Sequence, residues 1–240
     1  MTKTRKPPNP LPLQPRDKTA GDAALAITKA VTSALPLVGG PGAELVALLT
    51  PSLEKRRVAW LDELAERLRR LEAERGVDVE DLKEDPAFLD AVMHAARAAD
   101  RTSSDTKRAA LRNAVLNVAL SAGPPAEAIR HQVFLRLIEE FNEWHLRILN
   151  LFSNPPAELG AAHDEQLRSA TALPHVIQAL FPEMAGHQEV YGLVWSDLKQ
   201  AQLVNSDLHG MMSRSGLLAR RTTDFGEEFL GFIRSPLAGD

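Results

Sequence analysis

Apolar side chains recur along this chain at steps of three and four, and the pattern stops wherever proline and glycine cluster. The clearest stripe is Leu61, Leu64, Leu68 and Leu71, which predicts a helix from Thr50-Pro51 to about Arg75, closed by Gly76. Thr50 reads as a cap and Pro51 as the first helical residue, separating this helix from a short one over 43–49. Glu63 with Arg67 and Glu66 with Arg70 place acid before base four residues on, the favourable order, at about 0.3 kcal/mol per pair. Asp85-Pro86 opens a further helix to about Arg101, slim because alanine stands at 91, 95, 96, 98 and 99. Ser104 or Asp105 caps another to about Leu120, and Gly123-Pro124-Pro125 is a break. The longest helix is expected over 126–152, with Phe134, Ile138, Phe141, His145, Ile148 and Phe152 on one face.

Past Pro155-Pro156 the helices shorten. Two are expected at 165–172 and 173–180, the second starting at Leu173-Pro174. A fuller helix covers 187–204, with Val190, Val194, Leu198 and Ala201 on its apolar face and Leu193 beside them. A segment with Gly210 and Gly216 comes next, and Thr222 or Thr223 caps a last helix carrying Phe225, Phe229, Phe232 and Ile233. Strand signals are almost absent. The fold class expected is all-α: a helical bundle at 21–153, then a smaller helical module at 157–236.

Composition narrows the chemistry. Of 240 residues, 44% are hydrophobic and 25% charged, near globular averages, so wholesale disorder is excluded. The chain has no cysteine, which removes disulfides, thiol nucleophiles, cysteine-type zinc sites and iron–sulfur clusters. A net charge of −4 speaks against a bulk polyanion binder. Residues 1–20 hold five prolines, with five basic residues against Asp17, a local charge of +4. They read as a disordered basic arm, without the apolar run of a secretory signal. Between Lys29 and Glu44 lie 14 uncharged residues, short of the ~20 that span a bilayer, and Pro36, Gly39, Gly40 and Pro41 interrupt them. Segment 23–49 is therefore expected to be a helical hairpin, by default buried in the bundle.

No motif supplies a catalytic residue. Gly210-Met211-Met212-Ser213 is no nucleophile elbow, and Gly39-Gly40-Pro41-Gly42 lacks the lysine of a phosphate loop. No cofactor and no metal are expected, there being no His-Glu-x-x-His pair. His145 reads as a satisfied core histidine, and Glu139, Glu140 and Glu143 as a solvated face.

Three resemblances bear on function. The order helix, helix, longer helix, ribbon, final helix resembles a degenerate winged helix, carried by Leu217-Leu218 and the run from Thr223 to Phe229 with its Thr-x-x-Gly turn. That likeness implies a DNA-binding regulator, with Arg214, Arg220 and Arg221 as the basic edge. Glu189 and Asp197 against Lys199 would repel phosphate from its reading helix, so this stands as the alternative. His131, His163, Asp164 and Asp224 follow the order of the His-Asp phosphohydrolases, a third reading as a metal hydrolase. The hairpin Leu35-Pro36-Leu37-Val38-Gly39-Gly40-Pro41, with the leucine-rich and final phenylalanine-rich helices, resembles bacterial helical proteins of abortive-infection type, which act in phage defence. That resemblance implies a non-enzymatic interaction or effector protein, cytoplasmic or peripheral to the inner membrane. Its partners would be another protein, a second copy or a membrane surface, with Leu35, Pro36, Val38, Gly39, Gly40 and Pro41 as the acting residues.

Overall fold

The computed structural model of the chain describes residues 43–121, 125–160, 163 and 167–239. Over these residues the architecture is all-α, as expected. It comprises α1 (Ala43–Arg75), α2 (Pro86–Asp100), α3 (Asp105–Leu120), α4 (Pro125–Glu140), α5 (Glu143–Ser153) and α6 (Pro155–Leu159). The second half adds α7 (Leu173–Leu180), α8 (Gln188–Gln200), α9 (Arg214–Leu217) and α10 (Asp224–Ile233).

Several boundaries follow from side-chain chemistry at the caps. Asp85 accepts from the backbone N–H of Ala87 and Phe88, and Pro86 takes the first helical position, where its missing N–H costs nothing. Ser104 accepts from Lys107 N at the start of α3, and Thr223 from Gly226 N at the start of α10. Gly76, at φ +69°, closes α1 in a left-handed conformation that a side chain would oppose.

Four expectations are corrected. Residues 43–49 are not a separate helix, because α1 runs unbroken from Ala43 through Pro51. Pro51 is exposed, on the side of the helix where a missing backbone donor is tolerated. The helix expected over 126–152 is two helices. Asn142 accepts from the N–H of Trp144 and His145, while His145 Nδ1 accepts the Asn142 N–H at 3.2 Å, so a cap competes with continuation and wins. Residues 167–172 are not helical: the N–H groups of Thr171 and Ala172 donate to His175 Nδ1, and the Thr171 carbonyl accepts from Met212 N. Finally, α8 stops at Gln200, because Gln202 at φ +60° turns the chain out of the helix.

The bundle is assembled on alanine. Ala91, Ala95, Ala98 and Ala99 of α2 are buried, and α2 makes its most extensive pairing with α3, where Ala110 and Ala114 are buried too. Small side chains let the two backbones approach. One hydrophobic core runs from Trp60 to Leu237, so the last helix shares the core of the first. Phe134 of α4 is the hub of that junction. It meets Phe225, Phe229 and Phe232 of α10 at ring separations of 5.0, 5.4 and 5.4 Å. Asn113 and Asn117 of α3 donate to the carbonyls of Ile233 and Phe232 at 2.9 and 2.8 Å, satisfying the C-terminal end of α10. The tail then returns to α1, where Arg75 donates to the Pro236 carbonyl at 3.0 Å.

The ribbon of the winged-helix likeness reduces, among the described residues, to one antiparallel bridge between Val204 and Thr222. Two hydrogen bonds frame it: Thr223 N to Leu203 O at 3.0 Å, and Asn205 N to Arg221 O at 3.1 Å. Gly226 lies over this bridge. A β-carbon there would stand 3.1 Å from the Leu203 carbonyl carbon and inside contact with its oxygen. The Thr-x-x-Gly run thus caps α10 with its threonine and admits the bridge backbone with its glycine.

Candidate functional site

The six hairpin residues Leu35, Pro36, Val38, Gly39, Gly40 and Pro41 lie outside the described residues, as does the rest of 1–42. The described residues begin with α1. There Arg57 Nε donates to Asp100 at 2.8 Å, and Arg56 donates to the Thr102 carbonyl at 2.5 Å, tying α1 to the end of α2. The 13 residues of α1 from Ala43 to Lys55 extend past these ties, about 20 Å of helix. Between Pro51 and Ala59 no side chain is buried, and Trp60 is the next core residue. Yet Leu53 is 50% and Val58 36% exposed there. Among the described residues this pair forms an exposed apolar face on a helix stretch with no buried side chain.

The three arginines of the alternative reading differ in their surroundings. Arg220 is exposed and pairs with Asp224 at 3.6 Å, and Arg214 is exposed in α9. Arg221 is turned into the chain, where its guanidinium hydrogen-bonds to the Gly216 carbonyl and to Met212 Sδ. In α8 the buried residues are Tyr191, Val194, Trp195 and Leu198, so Val190 (44% exposed) and Leu193 (67%) face outward instead of inward as expected. Lys199, the basic residue of that helix, pairs with Asp207.

Among the described residues the histidine set is not gathered into a metal centre. His131 stacks on Phe232 at 4.9 Å, and its pKa is lowered mainly by burial. His163 Nδ1 hydrogen-bonds to the Leu159 carbonyl, and Asp164 lies outside the described residues. Among the described residues no group of three His, Asp or Glu is placed to hold a metal. His145 is a core residue, 5% exposed. Since Nδ1 accepts the Asn142 N–H, the proton sits on Nε2, which donates to Asp197 Oδ2 at 3.1 Å. Burial depresses its pKa and outweighs the opposing pull of the Asp197 hydrogen bond.

No family model, curated protein or solved structure matches the chain. Among the described residues, no helix is long and apolar enough to cross a membrane.

A groove of about 820 Å³, not expected from the sequence, lies between α2 and α4 and is floored by Val118 of α3. Ala87, Ala91 and Ala128 line its early end, with Met93 and Leu135 further along. At the other end Glu139 receives Arg101 at 2.9 Å and stands 3.1 Å from His94. Arg97 and Arg136 complete that end. Behind it Lys107 donates to the carbonyls of Glu139 and Phe141 at 2.6 and 2.7 Å. Only the four-residue step from Arg97 to Arg101, beside the alanines, signalled this in sequence; the α4 half is supplied by packing.

Proposed function

We propose that the chain is a non-enzymatic bacterial effector that acts on a membrane surface through segment 23–49, in keeping with its resemblance to abortive-infection proteins. The observation that carries the reading is the exposed apolar pair Leu53 and Val58, on a stretch of α1 where no side chain from Pro51 to Ala59 is buried. In sequence, segment 23–49 is followed directly by the part of α1 that exposes Leu53 and Val58. Apolar surface of that kind gains about 25 cal/mol for each Å² removed from water, and an acyl interface removes it as well as a core does. In this reading the bundle, held by its alanine contacts and aromatic hub, is the rigid body that presents the segment, and the site of action is the inner face of the cytoplasmic membrane.

The test is sedimentation of the full chain with phosphatidylglycerol vesicles. Leu53→Glu with Val58→Glu should cut the bound fraction at least fivefold while leaving the melting temperature within about 2 °C, since neither side chain is in the core. Undiminished binding by the double variant removes the membrane reading. A steeply salt-dependent complex with duplex DNA, lost in Arg214→Glu with Arg220→Glu, would put the DNA-binding alternative in its place.

A further inference from the structure

The groove between α2 and α4 is open because of side-chain size and charged because of helical register. On α2, positions 87, 91, 94, 97 and 101 fall on one stripe, and on α4, positions 128, 131, 135 and 139 do the same. Where the two stripes begin they carry alanine, which is too short to meet across the gap. Where they end they carry arginine. The groove is therefore apolar at one end and cationic at the other, and its 820 Å³ is in the range of a small-ligand pocket.

The charges at the cationic end do not cancel. Of the lining at that end, Arg97, Arg101 and Arg136 stand against Glu139, an excess of two positive charges. Arg101 is committed to Glu139. Arg136 pairs with Glu140 on its own helix at 3.6 Å, with both side chains more than half exposed, a pair that contributes little. Arg97 is exposed and has no acidic partner among the described residues. Asp90 is the remaining acid of the lining, two turns before Arg97 and toward the apolar end. A guanidinium fork matches a carboxylate or phosphate with two parallel hydrogen bonds.

We propose that this groove binds an amphipathic anion: a carboxylate or phosphate head between Arg97 and Arg136, with an apolar chain lying over Ala87, Ala91 and Ala128. Such a ligand is either a free fatty-acid-like molecule or the anionic head and proximal chain of a bilayer lipid. The groove lies outside segment 23–49, so it can bind ligand whether or not that segment acts on membranes.

The experiment is calorimetric titration of the full chain with decanoate and decyl phosphate below their micellar concentrations, with decyltrimethylammonium as the charge-reversed control. The expected result is saturable one-to-one binding of both anions, at least tenfold weaker in Arg97→Glu, and tenfold or more weaker for the cation. Ala128→Phe should block the chain end to a similar extent. Should that variant misfold, Arg97→Glu, an exposed change, still decides. Binding of the monomeric anions identifies a free amphiphile. Binding confined to phosphatidylglycerol vesicles, and lost in Arg97→Glu but kept in Leu53→Glu with Val58→Glu, identifies the bilayer lipid. No saturable binding in either arm, equal affinity for the cation, or undiminished affinity in Arg97→Glu would overturn the assignment.

Discussion

Two glycines in α10 should respond to the same substitution with opposite sign. Gly226 and Gly231 are both helical, and in open space alanine stabilises a helix by about 0.8–1 kcal/mol relative to glycine. A β-carbon at Gly231 meets nothing within 4 Å, so Gly231→Ala should gain about 0.5–1 kcal/mol. At Gly226 the β-carbon would press on the backbone of Leu203, which is held by the Thr223 N–H and cannot rotate away as a side chain would. The helix must lift from the bridge. Forcing an extra methyl group into packed structure costs about 1–3 kcal/mol, and losing the Leu203–Thr223 hydrogen bond about 1 more. After subtracting the helical gain, Gly226→Ala should lose about 1–3 kcal/mol. At 2–4 °C per kcal/mol for a chain of this size, the melting temperature should fall by about 2–12 °C for Gly226→Ala and rise by about 1–4 °C for Gly231→Ala. Thermal melts followed by circular dichroism, with urea midpoints as a check, read both. Shifts of the same sign, or a Gly226→Ala shift under about 1 °C, would refute the close approach of α10 to the bridge.

The aromatic hub predicts that Phe134→Ala costs about 3–5 kcal/mol by urea denaturation, because three rings of α10 lose their common partner. A cost under about 1 kcal/mol would mean that α10 does not depend on α4. Asn142→Ala should cost about 1 kcal/mol through loss of the α5 cap, while Asn142→Asp, which keeps the acceptor, should cost less. For pH, burial holds His145 and His131 below their ordinary pKa, so between pH 6.5 and their folded values the unfolded chain binds more protons than the folded one. Stability should therefore fall on acidification from about pH 6.5 downward, and His131→Gln should make that decline shallower. An unchanged pH profile in the variant contradicts the burial argument.

Much of the fold was legible because its boundaries are made by single side chains. Asp85-Pro86, Ser104, Pro174 and Thr223 each do locally what they do in any helix, and the structure uses them accordingly. Periodicity was weaker where two phases were available. In α8, Val190–Val194–Leu198 and Tyr191–Val194–Trp195–Leu198 both fit a helical face. Burial of the Trp195 and Tyr191 rings selected the second and turned Leu193 outward. The apolar face from Phe134 to Phe152 stays in phase across Phe141-Asn142, so the pattern hid a break that only the Asn142 cap reveals. The arginines at 214, 220 and 221 looked alike in sequence, and it took the loop around Gly216 to separate Arg221 from the others. The groove was invisible for the opposite reason: its alanines read as close-packing residues, and on the α2 face toward α3 they are, whereas toward α4 they leave space.

The central claim is that segment 23–49 acts on a bilayer, and dye release from phosphatidylglycerol vesicles tests it most directly. Val38 lies in that segment, and a carboxylate placed near a bilayer centre costs about 3 kcal/mol or more. The account predicts that the full chain releases entrapped dye and that Val38→Asp reduces the release at least tenfold, with its melting temperature and its decanoate binding unchanged. Release by Val38→Asp equal to that of the unaltered chain, or no release by the unaltered chain at any protein-to-lipid ratio, would contradict it.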